Sequence, residues 1–344
     1  MSLDQVTPAL PVLDLSAFRQ GGAAQEDFLS ALRRAAREVG FFYLTGHGIA
    51  QADFDRVFAT ARDFFALTEA EKLSVQMVKS PQFYGYNVSG AELTRNARDW
   101  REQFDIGPEQ AAIPVGLDTL PWARLIGPNL WPEALPALRE VGLDWHRRLN
   151  ALAVELLEAF ALALEQPRDA LAPIHARGGH ARVKLIRYPS VDQGDSDQGV
   201  GAHKDSGFLT LLAQDDVGGL EVELNGHWVP ATPIPGTFVV NIGEILELCT
   251  GGYLRATVHR VISPPKGVER LSVAHFFGAD LDVVAPVLAL PPHLASEATG
   301  TAGDPQNPLF RDIGKNYLKG RLRSHPDVAQ VHHADLLEQG YART

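Results

Sequence analysis

Gly201-Ala202-His203-Lys204-Asp205-Ser206-Gly207-Phe208-Leu209-Thr210-Leu211-Leu212-Ala213 sets an H-x-D triplet directly before a β-favouring apolar run. Gly201 and Gly207 flank the triplet and let backbone and ligand approach closely. Around this stretch, residues 183–277 break into short β-rich runs separated by Gly, Pro and Asn turns. The runs are Lys184 to Tyr188, Phe208 to Ala213, Leu220 to Leu224, Trp228 to Ala231, Thr237 to Ile242, Thr257 to Ile262 and Arg270 to Phe277. Asn225-Gly226, between two of them, is a strong hairpin signal. Short strands at this spacing predict a double-sheet jelly roll.

The flanks read as helix mixed with strand, which makes the class α+β. Pro11 to Leu15 alternates like a short strand, and Glu26 to Val39 has helical spacing. Phe41-Phe42-Tyr43-Leu44 is a further strand, Ala52 to Phe65 a second helix, and Thr68-Glu69-Ala70-Glu71 an N-cap pattern. Residues 80–135 have little periodicity and read as loops that wall a site. Pro136 to Leu164 predicts a long amphipathic helix burying Leu138, Val141, Leu149, Leu152, Leu156 and Phe160. Asp192 to Gly199 reads as a polar loop, and Leu309 to Leu322 as a helix. Three regions follow: a mixed N-terminal part (1–165), a jelly-roll core (166–290) and a helical C-terminal extension (291–344), forming one compact unit.

Bulk composition narrows the function. The chain has 344 residues, 45% hydrophobic and 21% charged, and a net charge of −11 with no basic block, so nucleic acid and anionic membrane are poor partners. Cys249 is the single cysteine, which excludes an intrachain disulfide and suits a reducing compartment. Met1 to Leu10 has no apolar run resembling a signal peptide, and Glu155 and Glu158 interrupt the most apolar helix. A cytoplasmic protein without an obligate protein partner is expected.

His203, Asp205 and His259 are the candidate metal ligands. Two histidines and one carboxylate leave half of an octahedral ion open, the arrangement of non-heme Fe(II) oxygenases. On a strand, His203 and Asp205 share a face, and His259 could meet them across the barrel. With twelve histidines in the chain, such a triplet and a later histidine also arise by chance. Arg270 and Ser272 strengthen the reading. They share a strand face, and a guanidinium fork with a hydroxyl suits a carboxylate. No nucleophile elbow, Walker loop, H-E-x-x-H or cysteine cluster competes.

Taken together, these residues resemble the isopenicillin N synthase-like branch of the Fe(II)/2-oxoglutarate-dependent oxygenases. The similarity runs through Pro11 to Leu15, Gly40 to Gly48, Lys184 to Pro189, Gly201 to Asp205, Asn241 to Glu244 and Thr257 to Val261, in that order. The resemblance implies a distorted double-stranded β-helix, a jelly-roll barrel with flanking helices. It implies Fe(II) on His203, Asp205 and His259. It also implies 2-oxoglutarate with its distal carboxylate on Arg270, Ser272 and Tyr188, and O2 as oxidant. The family's Asn-Tyr-Tyr-Pro stretch has Ile186 for Asn and Arg187 for the first Tyr here. Arg187 alternates away from Tyr188 and so serves the other face.

The implied reaction is hydroxylation, desaturation or ring closure of a small metabolite, with succinate and CO2 as co-products. Phe83, Tyr84, Tyr86, Trp100, Phe104, Phe276 and Phe277 suggest either aromatic walls for a hydrophobic or aromatic substrate, or core packing. Lys184 and Arg101 read as solvated surface charges or as recognisers of an acid group. The alternatives are an oxidase of the isopenicillin N synthase type that does not use 2-oxoglutarate, and a metal-binding or zinc hydrolase barrel without oxygenase activity.

Overall fold

The computed structural model describes residues 10–342 except 96, 115, 117, 118, 191–196 and 302–306. Residues 1–9 and most of the expected polar loop at 192–199 lie outside the described residues. The strands, in chain order, are β1 (Val12–Asp14), β2 (Phe41–Thr45), β3 (Gly85–Asn87), β4 (Leu93–Thr94), β5 (Ala97–Arg98), β6 (Glu102–Ile106) and β7 (Arg182–Tyr188). They continue with β8 (Gln198–His203), β9 (Leu209–Gln214), β10 (Leu220–Leu224), β11 (His227–Pro230), β12 (Phe238–Ile242), β13 (His259–Ile262) and β14 (Arg270–Phe277). Eight form one sheet in the order β1-β2-β12-β9-β14-β7-β6-β3, and four form a second, β11-β10-β13-β8.

Side-chain alternation sorts the large sheet into two faces. Phe42, Leu185, Leu211, Val240 and Val273 turn outward into a core shared with the helices. Tyr43, Ile186, Tyr188, Val239 and Ala274 turn inward and pack with Val200, Leu220, Val222 and Val261 of the small sheet. Burying each such Val, Leu, Ile or Phe stabilises the fold by about 1.5–3 kcal/mol. Helix Ala137–Ala163 lies over β7, β9 and β14 and buries all six apolar residues expected of it. Thr68 and Glu71 form the expected capping box. Asn225 and Gly226 both take left-handed φ values (51° and 78°) in the β10–β11 turn, as a type I′ hairpin requires.

Two expectations change. The sheets do not close into a barrel among the described residues, because the free edge of β8 meets the irregular link between β5 and β6 rather than a paired strand. Trp100 N donates to Gln198 O at 3.0 Å, and Gly201 N donates to Asp99 Oδ1 at 3.0 Å. Residues 80–135 are more than loops, since β3 and β6 extend the large sheet and are buried along their lengths. Their period-2 signal is hidden because β6 is polar on the inward face and mixed on the other.

Helix Ile313–Ser324 and the short helices after it pack Leu318, Leu322 and Val328 against Met77, Phe83 and Leu125. That docking brings Tyr317, Arg321 and His325 to the open end of β6 and β7.

Candidate active site

Gly40 first fixes the backbone before His259. It has φ +73°, and a Cβ there would lie 2.3 Å from Arg255 O. This close approach lets Thr257 Oγ1 donate to Val39 O at 2.7 Å, two residues ahead of His259. His259 then stands opposite His203 in the β13–β8 register, with ring centroids 4.3 Å apart. The two histidines are therefore neighbours in one sheet and do not meet across a barrel.

Asp205 has left the strand, which ends at His203. Its position is set by tertiary contacts. Glu244 N and Ile245 N donate to the carbonyls of Asp205 and Gly207 at 2.7 and 3.1 Å. Gly243 permits this, because a Cβ there would lie 2.1 Å from Gly207 O. Thr210 Oγ1 and Asn241 Nδ2 both donate to Asp205 Oδ2, at 2.5 and 2.8 Å. The other oxygen, Oδ1, faces His203 Nε2 at 3.5 Å and His259 Nε2 at 3.8 Å.

Both rings are held for ligation through Nε2. His203 Nδ1 lies 2.8 Å from Gly201 O, and His259 Nδ1 lies 3.1 Å from Thr257 O, so each Nδ1 carries the proton it donates. One ligand atom from each of the three residues falls within 4.8 Å of the others. Burial pushes the Asp205 carboxyl up, but the His259 and His203 rings and the Thr210 hydroxyl outweigh it and hold the group well below its usual range. Burial and the neighbouring His203 lower His259 to about 4. For His203 burial also lowers the pKa, but the Asp205 hydrogen bond and charge raise it above the ordinary value. A carboxylate with two imidazole Nε2 atoms is a donor set that fits a divalent first-row ion, which takes the place of any Nε2 proton.

Between the same sheets lies a seat for an anion. Arg270 is 0% exposed and stands opposite Tyr188 in the β14–β7 register, its guanidinium carbon 4.6 Å from the Tyr188 ring centroid. Its Nη2 donates to Gln214 Oε1 at 3.2 Å. Arg270 Nε and Nη1 and the Ser272 hydroxyl are buried without hydrogen-bond partners among the described residues. Unpaired buried donors are costly, and a carboxylate would satisfy them. Arg187 turns to the other face as expected, pairing with Glu102 and Glu269.

Lys184 is buried and the Arg101 side chain is only 11% exposed, in contrast to the surface charges expected of them. Glu92 joins them, accepting from Arg101 Nη2 at 2.7 Å and from Lys184 Nζ at 3.1 Å, with His325 Nε2 3.6 Å away. Asp105 Oδ2 lies 3.5 Å from both Arg182 and Arg321. Burial pushes Glu92 up, but Lys184 and Arg101 outweigh it and hold the carboxyl well below its usual range.

The suggested aromatic wall is largely core. Tyr86 and Phe104 pack on Phe64, Phe83 stacks on His333, Phe277 joins the helical core, and Tyr84 lies under Arg182. Phe276 alternates onto the inner face beside Lys184. Sequence reading gave no role to Thr210, Asn241, Gln214, Glu92, Asp99 or Arg321, although Asn241 lay in a stretch that carried the family resemblance. The alternation of Thr210 and Asn241 with apolar neighbours was the available signal for the first two.

Comparisons with known proteins agree with this geometry. Residues 10–134 match the family model for the N-terminal region of non-haem dioxygenases in morphine synthesis, and residues 180–279 match the 2OG-Fe(II) oxygenase superfamily. The chain is 34% identical over 348 residues to the 2-oxoglutarate-dependent dioxygenase frbJ of a Dothideomycetidae species, covering 96% of this chain and 92% of that one. It is 36% identical over 296 residues to a homoarginine-6-hydroxylase of Oryza sativa, covering 81% and 88%. Neurospora crassa T7H, solved with alpha-KG and thymine, superposes with a TM-score of 0.74 at 25% identity, covering 96% and 98%. The chain belongs to the Fe(II)/2-oxoglutarate-dependent oxygenase family. It is an oxidoreductase of the dioxygenase type, with iron and 2-oxoglutarate as its cofactor and co-substrate.

Proposed function

We propose that the chain oxidises a C–H bond of a small metabolite, with His203, Asp205 and His259 as the iron ligands and Arg270, Ser272 and Tyr188 as the 2-oxoglutarate seat. The observation that carries this is the pairing of two features between the same sheets. Two Nε2 atoms and Asp205 Oδ1 turn to one point, and a buried guanidinium leaves two N–H groups free. We read the two sheets as a distorted double-stranded β-helix, the fold of the solved relatives, with 166–290 as the catalytic core.

Fe(II) with 2-oxoglutarate and O2 supplies the oxidation of the C–H bond and releases succinate and CO2. The protein's part is positional. The Gly201 and Thr257 carbonyls fix the ring tautomers, and Thr210 and Asn241 fix the carboxylate. Arg270 binds and orients the co-substrate through charge-assisted hydrogen bonds. Tyr188 covers the guanidinium with its ring and, with the surrounding apolar residues, keeps water from it. The free N–H groups of Arg270 and the 2-oxoglutarate-dependent relatives both speak against the oxidase alternative.

The relatives act on different molecules, so no substrate is carried over from them. The polar inner face of β6 and β7 suits a polar small molecule better than the hydrophobic or aromatic one suggested by the aromatic residues of 83–104 and 276–277. Among the described residues no helix is long and apolar enough to cross a membrane. We place the enzyme in the reducing cytoplasm, which suits both Fe(II) and the buried thiol of Cys249, pushed up to about 12 by burial.

The test combines iron content and 2-oxoglutarate turnover. His203→Ala is expected to lose iron and all succinate release while keeping the wild-type circular dichroism spectrum. Retention of stoichiometric iron and turnover in that variant would refute the ligand assignment.

A further inference from the structure

Gln103 lies on the inward face of β6 and is 1% exposed, yet neither its amide oxygen nor its amide nitrogen has a hydrogen-bond partner among the described residues. It stands between Asn87 of β3 and Ile186 of β7, and Ile186 in turn pairs with Ser272. Gln103 is therefore in the same row as Ser272, two strand spacings or about 10 Å away, with the Ile186 side chain between them. It sits beside the co-substrate seat without belonging to it. Its neighbours along the strand are Arg101 and Asp105, which keep Nε and Oδ1, respectively, without partners. Three successive inward residues thus leave polar atoms unpaired, as Arg270 and Ser272 do in the seat itself.

We propose that Gln103 is the specificity-determining residue for the substrate, and that it takes a neutral planar group with adjacent donor and acceptor: an amide, lactam, imide or urea edge. This deepens the oxygenase reading and rests on it. A carboxamide presents one acceptor and two donors side by side, and a ligand amide is its complement. Nearby, four cations face two carboxylates. Arg101 and Lys184 pair with Glu92, and Arg182 and Arg321 face Asp105. A carboxylate only accepts and an ammonium only donates, so either would leave half of the Gln103 amide unpaired, whereas a neutral amide completes both its oxygen and its nitrogen. Leaving an amide unpaired in the interior costs stability, and a bound ligand that completes its hydrogen bonds recovers that cost.

The experiment uses the Fe(II)–2-oxoglutarate protein without O2, titrated calorimetrically with 2-piperidone, glutarimide and dihydrouracil. Cyclohexanone, with ring and carbonyl but no N–H, is the control. At least one amide is expected to bind about tenfold or more tightly than the ketone, because a buried site built for hydrogen bonds rejects ligands that cannot make them. Gln103→Leu is expected to abolish that preference while iron and 2-oxoglutarate bind as in wild type. Its melting temperature without ligand is expected to match or exceed the wild-type value, since an unpaired amide has been replaced by an apolar group. No amide preference in wild type, an unchanged preference in Gln103→Leu, or a clear fall in its melting temperature would each overturn the assignment. The last result would mean that the amide has a structural partner. Failure of wild type to bind 2-oxoglutarate is a separate outcome, and it would refute the oxygenase site instead.

Discussion

Replacing Arg270 by methionine removes the guanidinium and leaves a side chain of similar length on β14. Arg270 is 0% exposed and keeps Nε and Nη1 free, and Nη1 together with the second N–H of Nη2 can form a fork for one carboxylate. A hydrogen bond to a charged group contributes about 1.5–3 kcal/mol, so losing two should weaken 2-oxoglutarate by roughly 3–6 kcal/mol, or about 10²–10⁴ in affinity. Arg270→Lys keeps the charge and loses the fork, and it should fall by about 10–100-fold. The assay is anaerobic titration of Fe(II)-loaded protein with 2-oxoglutarate, followed by its weak visible charge-transfer band and by calorimetry, with iron measured in the same sample. Iron content should not change, because Arg270 touches none of the three metal ligands. An Arg270→Met protein that holds iron and binds 2-oxoglutarate within about threefold of wild type would refute the seat, since two lost charged hydrogen bonds cannot cost so little.

Three further outcomes are expected. Asn241→Ala and Thr210→Val free Asp205 Oδ2, so each should weaken iron in chelator competition by about 10–100-fold while the fold persists; wild-type affinity in both would show that the carboxylate needs no orientation. Gly243→Ala drives a Cβ into the Gly207 carbonyl, and the denaturant midpoint should fall by the equivalent of about 1–3 kcal/mol or more, with a neutral result excluding the close approach. Glu92→Leu removes the nearest carboxylate of buried Lys184 and of half-buried Arg101, leaving Asp105 and Asp99 at 3.9 and 3.7 Å, and should destabilise by up to about 3–5 kcal/mol near neutral pH. Because the folded Glu92 pKa lies below its unfolded value of 4.5, its contribution is present above that pH and lost on acidification through the folded pKa. The gap between wild type and variant should therefore narrow in acid, and a gap independent of pH would contradict the pairing.

The site was legible where chemistry is concentrated in short stretches. His203 and His259 could be picked from twelve histidines because Asp205 two residues from His203 and an Arg-x-Ser strand lay in the same β-rich segment. Arg270 and Ser272 were legible because period-2 alternation puts them on one face wherever their strand lies. The reach of Asp205 was not, since it is set by Thr210, Asn241 and the first amides of helix Glu244–Cys249. Lys184 and Arg101 were misread for a related reason. A buried lysine differs from a solvated one only by its partners, and Glu92 comes from a distant turn.

Local physics in the sequence determined the strands of 183–277 other than β8 (Gln198–His203), the long helix, the Asn225-Gly226 hairpin and the identity of the candidate metal-binding side chains. These depend on side-chain period, backbone preference and ligand chemistry within a few residues. Tertiary structure alone decided that the two histidines are neighbours in one sheet, that the sheets stay open at β8, and that Glu92, Gln103 and Arg321 share the interior with Tyr188 and Arg270. Such placements depend on which segments pack together across the whole chain, and a buried polar group takes its meaning from the partners brought to it.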